Sequence, residues 1–193
     1  MKISKSICAI AFATTLVALP VCASASIYYS QPAHGPLYGT MYDAPARAYD
    51  IDPLLLYSVA LAESAWRGEK NGEIQPWPYT LRVLSEPGNY QPSLADAQKE
   101  LQRYLNRYQS IDIGIMQVNS KYHGHRVDSI TDLLIPENNL LVGAQILRET
   151  IDSAPGDLQL GIGRYHHWAD EVRARSYGSR ILAIYENLRL MLQ

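Results

Sequence analysis

The stretch DPLLLYSVALAESAW, Asp52 to Trp66, decides the reading of this chain. Asp52 is a good N-cap and Pro53 suits the first helical position, where no amide hydrogen is needed. The spacing predicts a helix to about Ala65, with a stripe at Leu56, Val59 or Ala60 that runs onward to Glu63. A carboxyl that continues an apolar stripe is desolvated, and burial raises its pKa. The negative end of the helix macrodipole pushes the same way. Glu63 therefore has the makings of a general acid that keeps its proton near neutral pH. On position alone, the plain alternative is a glutamate solvated at a helix end or paired with Arg67.

Working outward, most of the chain reads as helix. Residues 26–48 carry Pro32, Gly35, Pro36, Pro45 and four tyrosines without a period, which predicts an extended N-terminal lead. Gly68 to Gly88 reads as loop. Ser93 caps a second helix with apolar positions at Leu94, Ala97, Leu101, Tyr104 and Leu105. Ile111 to Asn119 opens with alternation but is too short to assign. Further helices are predicted over about 137–152, 158–167 and 171–191. Without repeats or strand–helix alternation, the expectation is one mostly α domain over 49–193.

The first 25 residues read as an address. Lys2 and Lys5 precede an apolar run, Ile7 to Val21, and Ala23-Ser24-Ala25 offers small residues for cleavage. A membrane anchor is the competing reading, but the run falls short of the ~20 residues that span a bilayer. Lipidation at Cys22 is a second competitor, set back by Pro20 and Val21 beside it. Cleavage after Ala25 would remove both cysteines, Cys8 and Cys22, leaving no thiolate nucleophile and no disulfide. The full chain of 193 residues carries a formal charge of −2, which becomes about −4 without the leader. With no basic block, nucleic acid is not an expected partner. Fourteen tyrosines against one phenylalanine suit a wet cleft, since tyrosine joins a flat face to a hydroxyl.

Several blocks then match one pattern in order. Ala62-Glu63-Ser64-Ala65-Trp66 and Gly114-Ile115-Met116-Gln117-Val118-Asn119 resemble the two most diagnostic segments of the lytic transglycosylase catalytic domain. The block beginning at Asn139, the pair Arg164-Tyr165, and the spacing from Tyr177 to Tyr185 are similar to the family as well. The resemblance runs from Asp50 to Leu188 and implies a compact, lysozyme-like helical fold. It implies Glu63 as catalytic acid and base, with Ser64 beside it as a hydrogen-bond partner. By the same carry-over, Met116 and Gln117 line the sugar cleft, Tyr165 reaches the acetamido group or Glu63, and Tyr185 closes the wall. Core packing is the alternative for Met116 and Tyr185.

Two departures mark this chain. The family usually has Ala-Tyr-Asn where Arg164-Tyr165-His166 stands. The segment between Glu63 and Gly114 is also long, and its Gln75-Pro76-Trp77-Pro78-Tyr79-Thr80-Leu81 resembles members attached to conjugation and secretion systems. Trp77 and Tyr79 could stack on sugars or pin the segment to the core.

Most glycosidases use two carboxylates, and here only Glu63 sits in a recognisable pattern. The resemblance implies a reaction that needs one: cleavage of the MurNAc-β-1,4-GlcNAc bond of peptidoglycan with closure of a 1,6-anhydro ring, without cofactor or metal. His123, His125, His166 and His167 lack a zinc-binding spacing. A goose-type lysozyme, using water and a further acid such as Asp112 or Glu73, is the nearer alternative. A wall-binding module without activity is the more distant one. The implied setting is the periplasm, peripheral to the membrane, as a monomer acting on glycan strands and serving a conjugation or secretion apparatus.

Overall fold

The computed structural model describes residues 35–68 and 72–192. The expected leader, residues 1–25, and the first part of the expected lead lie outside them. Seven helices dominate the described residues: α1 (Asp43–Ala48), α2 (Pro53–Ser64), α3 (Leu94–Leu105), α4 (Ser120–His123), α5 (Pro136–Asp152), α6 (Leu158–Arg164) and α7 (Glu171–Met191). The fold is mostly α and lysozyme-like.

Helix α2 is the centre of the molecule. Asp52 caps it by accepting from the Leu54 amide at 2.8 Å, and Pro53 opens it. Its residues are apolar almost all round, and Leu54, Leu55, Leu56, Val59 and Ala60 are all buried. A helix without a polar face is a core helix, so whatever lies along it is desolvated. Helix α7 crosses the same core and touches α2 at both ends. The Tyr185 hydroxyl donates to Asp52 Oδ2 at 2.6 Å, and Tyr177 donates to Glu63. These pairings run α7 antiparallel to α2.

Helix α6 is pressed onto α7 backbone to backbone. A Cβ added at Gly163 would stand 2.0 Å from the Ala174 carbonyl oxygen, and one at Gly178 only 1.9 Å from that of Gln159. Neither position has room for a side chain, and this close approach carries Tyr165 and His166 up against Tyr177.

Strands fill the stretch read as loop. Strand β1 (Ala65–Arg67) continues directly from α2 and pairs antiparallel with β2 (Ile74–Pro76). A four-stranded antiparallel sheet follows in the order β4-β3-β5-β6, from β3 (Thr80–Arg82), β4 (Asn89–Tyr90), β5 (Asp112–Ile113) and β6 (Val118–Asn119). These strands are two or three residues long, too short for a visible period of two. The predicted extended lead is also corrected where it is described: Asp43–Ala48 is helical, with Asp43, Pro45 and Ala46 buried and α1 packed on α5. The helix predicted over 158–167 ends at Arg164. The helices predicted after Ser93 and over 137–152 and 171–191 stand close to their expected bounds.

Candidate active site

Glu63 occupies the last turn of α2 and is 6% exposed. Burial pushes its carboxyl from the ordinary 4.5 up to about 7, against smaller downward pulls from the Tyr177 hydroxyl and the charges of Arg82 and Arg180. Asp112 adds a weaker push upward. The reading of a solvated or Arg67-paired helix-end residue does not hold. Desolvation outweighs two arginines here because neither forms an ion pair with the acid among the described residues.

Beside Glu63 lies the turn that the sequence singled out. Gly114, Ile115, Met116 and Gln117 form the tip of the β5–β6 hairpin. Gly114 has φ +80° and Gln117 has φ +49°, the left-handed region that glycine adopts freely and glutamine does not. The tip is held from three sides. Ser64 Oγ donates to the Ile115 carbonyl at 2.7 Å. The Asn139 Nδ2 group donates to the carbonyls of Ile113 and Leu133, both at 2.8 Å, and Asn139 Oδ1 accepts from the Met116 amide at 2.8 Å. Tyr165 Oη donates to the Met116 carbonyl, also at 2.8 Å.

These bonds change several expected roles. Ser64 is fully buried and bonds the Ile115 and Ala60 carbonyls, so it fixes the hairpin to the helix end; the hydroxyl that meets Glu63 belongs to Tyr177. Met116 is fully buried, its side chain lying on Gly143, where an added Cβ would come within 2.6 Å of it. It packs the hairpin tip onto α5, with no apolar face left for a sugar ring. Tyr185 meets Asp52 at the opposite end of α2, about 16 Å along the helix from Glu63 at 1.5 Å per residue. Two turns earlier on α7, Tyr177 is the tyrosine whose hydroxyl meets Glu63.

Gln117 closes the same hairpin tip. Its Nε2 donates to the carbonyls of Gly114 at 2.8 Å and Thr80 at 3.2 Å, which fixes the amide's orientation. Its Oε1 is buried with no hydrogen-bond partner among the described residues. Tyr165 is close enough that the charges of Glu63 and Asp112 add to burial in raising its hydroxyl pKa.

Sequence reasoning missed the bond from Tyr177 and the charges of Arg82 and Arg180 near this acid. His166 lies over the Tyr177 ring, with centroids 4.8 Å apart and planes 32° apart. Burial, then Arg180, push its pKa down, and Asp112 opposes them. Arg180 stands 5.1 Å from the Tyr177 ring centroid. Arg82 on β3 is registered opposite Asp112 on β5, whose Oδ1 accepts from Asn119 at 2.7 Å. Desolvation raises the pKa of Asp112. Asp112 was weighed as a second acid, and the fold brings it into the field of Glu63. Trp77 does not offer itself as a free platform: its Nε1 donates to the Gln91 carbonyl at 2.7 Å and its amide to the Ser64 carbonyl at 2.9 Å. It pins the inserted segment to the end of α2.

A mostly helical domain that buries a protonatable carboxyl at the end of its central helix has the environment a general acid requires. The chain belongs to the transglycosylase SLT family: the Transglycosylase SLT domain model matches residues 40–179. That membership carries lytic transglycosylase activity on peptidoglycan. No curated protein and no solved structure matches the chain significantly.

Proposed function

We propose that Glu63 is the single acid and base of this enzyme, and that it cleaves the MurNAc-β-1,4-GlcNAc bond with formation of 1,6-anhydroMurNAc. The observation that carries the proposal is a carboxyl buried to 6% exposure and raised to about 7, facing a tyrosine hydroxyl. Such a group is protonated over much of the neutral range and becomes a competent base once it has given its proton away.

The steps follow from that single group. The Glu63 proton passes to the glycosidic oxygen as the bond from C1 of the muramic acid breaks, and the acetamido oxygen of that sugar supports the cation. Glu63, now a carboxylate, takes the proton from the C6 hydroxyl, whose oxygen closes on C1. The acid is restored, and water is not consumed. Tyr177 and the two arginines supply the charge-assisted hydrogen bond and positive field that make the intermediate carboxylate tolerable in a buried site.

Hydrolysis is the second reading, and Asp112 is the observation that favours it, because it lies in the field of Glu63. Against it, Asp112 exerts the weakest of the named influences on Glu63 and already accepts from Asn119. Digestion of purified peptidoglycan by residues 26–193, with mass spectrometry of the products, separates the two. Anhydro ends lost in Glu63→Gln support the proposal. Reducing ends lost in both Glu63→Gln and Asp112→Asn would replace it with the hydrolytic one.

The setting belongs to the same proposal. A leader over residues 1–25, cleaved on export, would deliver a monomeric enzyme to the periplasm, peripheral to the membrane. The Gln75 to Leu81 segment, similar to that of conjugation- and secretion-associated members, supports a role in opening the wall locally for such an apparatus. Fractionation of cells carrying a tagged full-length chain tests the localisation, and loss of transfer or secretion on deletion tests the partner.

A further inference from the structure

The insertion between β1 and β5 builds an open surface groove of about 440 Å³ that the reaction above does not use. Its lining is Trp66, Glu86, Pro87, Gly88, Asn89, Tyr90 and Tyr104. The volume lies in the range of small-molecule sites. Trp66 and Tyr90 stack at 4.8 Å between centroids and 33° between planes, giving an aromatic wall. The polar groups are held rigidly. Tyr104 Oη donates to Glu86 Oε2 at 3.2 Å, Tyr108 donates to the other oxygen, and Asn89 Nδ2 reaches Tyr104 Oη at 3.3 Å. A carboxylate has about four acceptor sites, so these bonds leave Glu86 capacity to receive further hydrogens.

The groove adjoins the acid. Trp66 stands three residues beyond Glu63, on the strand that continues α2. Arg82 links the two places. A Cβ built on Gly88 would lie 3.5 Å from Arg82 Nε and Nη2 and 3.4 Å from Tyr90 Cε2. The same guanidinium acts on Glu63 and Asp112.

We propose that this groove is an accessory glycan subsite, in which an N-acetylhexosamine further along the strand lies against Trp66 and Tyr90 while Glu86 accepts from its hydroxyls. An aromatic wall beside a fixed carboxylate fits a pyranose, which has one apolar face and a rim of donors. The inference rests on the glycan-cleaving reading of Glu63. It extends that reading, because the insertion would then lengthen the stretch of glycan the enzyme grips.

The test uses the chain carrying Glu63→Gln, so that no bond is cut, and calorimetric titration with N-acetylglucosamine oligomers of three and six units. The parent is expected to bind the hexamer about tenfold more tightly than the trimer, the worth of one stacked ring. Gly88→Leu fills the groove from a backbone position where a Cβ meets only ordinary contacts, and Tyr90→Ala removes half the wall. Each is expected to bring the hexamer-to-trimer ratio near one. A ratio unchanged in a folded Gly88→Leu chain overturns the subsite while leaving the reaction at Glu63 standing. Loss of affinity for a free stem peptide, with the ratio unchanged, reassigns the groove to the peptide and overturns the sugar. A parent that binds neither oligomer removes the ground for both the subsite and the glycan reading.

Discussion

Tyr177 on the last helix donates its hydroxyl hydrogen to Glu63 Oε1 on the central one, 114 residues away in the chain. This bond favours the ionised carboxyl, while burial favours the neutral one, and burial prevails. Tyr177→Phe removes the favouring partner, so the Glu63 pKa should rise further. The alkaline limb of the pH–rate profile should move to higher pH, and kcat should fall about tenfold to a hundredfold from lost positioning. An alkaline limb unmoved, measured as release of soluble muropeptides between pH 5 and 9, would remove Tyr177 from the site.

Glu63 also carries a stability cost that grows with pH. Its folded pKa, about 7, lies above the ordinary value of 4.5, so the folded chain binds the extra proton between those values. Stability from this group is complete below about pH 4.5 and is lost as pH rises through 7, a change of about 3 kcal/mol. Glu63→Gln is isosteric and never ionises. Urea denaturation should find it more stable than the parent at pH 8 and nearly equal at pH 5, with activity abolished at both. A variant less stable than the parent at pH 8 would contradict the burial argument.

Asn139 is the residue whose side chain bonds the β5–β6 hairpin most heavily. Its side chain satisfies two carbonyls and one amide while fully buried. Asn139→Asp keeps the shape but loses both donations and brings a carboxylate against two carbonyl oxygens. The expected loss is about 3 kcal/mol or more. Melting temperature checks it, and an unchanged melting point would refute it.

Tyr185→Phe makes the complementary case. Its bond to Asp52 joins the same two helices at the end remote from Glu63. The variant should lose about 1–3 kcal/mol of stability and keep the parent's pH–rate profile. A shifted profile would return Tyr185 to the cleft.

The contrast between these two tyrosines marks what could be read from the chain. The apolar surroundings of Glu63 were legible, because α2 is hydrophobic at almost every position and Asp52 and Pro53 announce its start. The choice of tyrosine on α7 was not. Both Tyr177 and Tyr185 face the core, and which one meets Glu63 depends on the direction in which α7 crosses α2, a property of neither helix's periodicity. Ser64 was expected as a partner of Glu63 and Met116 at the sugar; they bind the hairpin to α2 and α5, since adjacency in a motif does not separate a residue that touches a ligand from one that holds its neighbour. The short strands β2 to β4 escaped notice because two or three residues cannot display alternation, and α1 was hidden by the prolines and glycines around it. Arg82 and Arg180 drew no attention as neighbours of Glu63 because only tertiary pairing brings them near.

The bond from α7 to α2 also sets the order in which activity can come into being. During synthesis, Glu63 emerges long before Tyr177, and α2 has no α7 against which to close until nearly the whole chain has followed. The α6–α7 contact at Gly163 and Gly178 belongs to the same late event. A partly emerged chain therefore holds its acid unshielded, with an ordinary carboxyl pKa and no proton to give at neutral pH. For an enzyme that cleaves peptidoglycan, completion of the fold would itself serve as the safety catch.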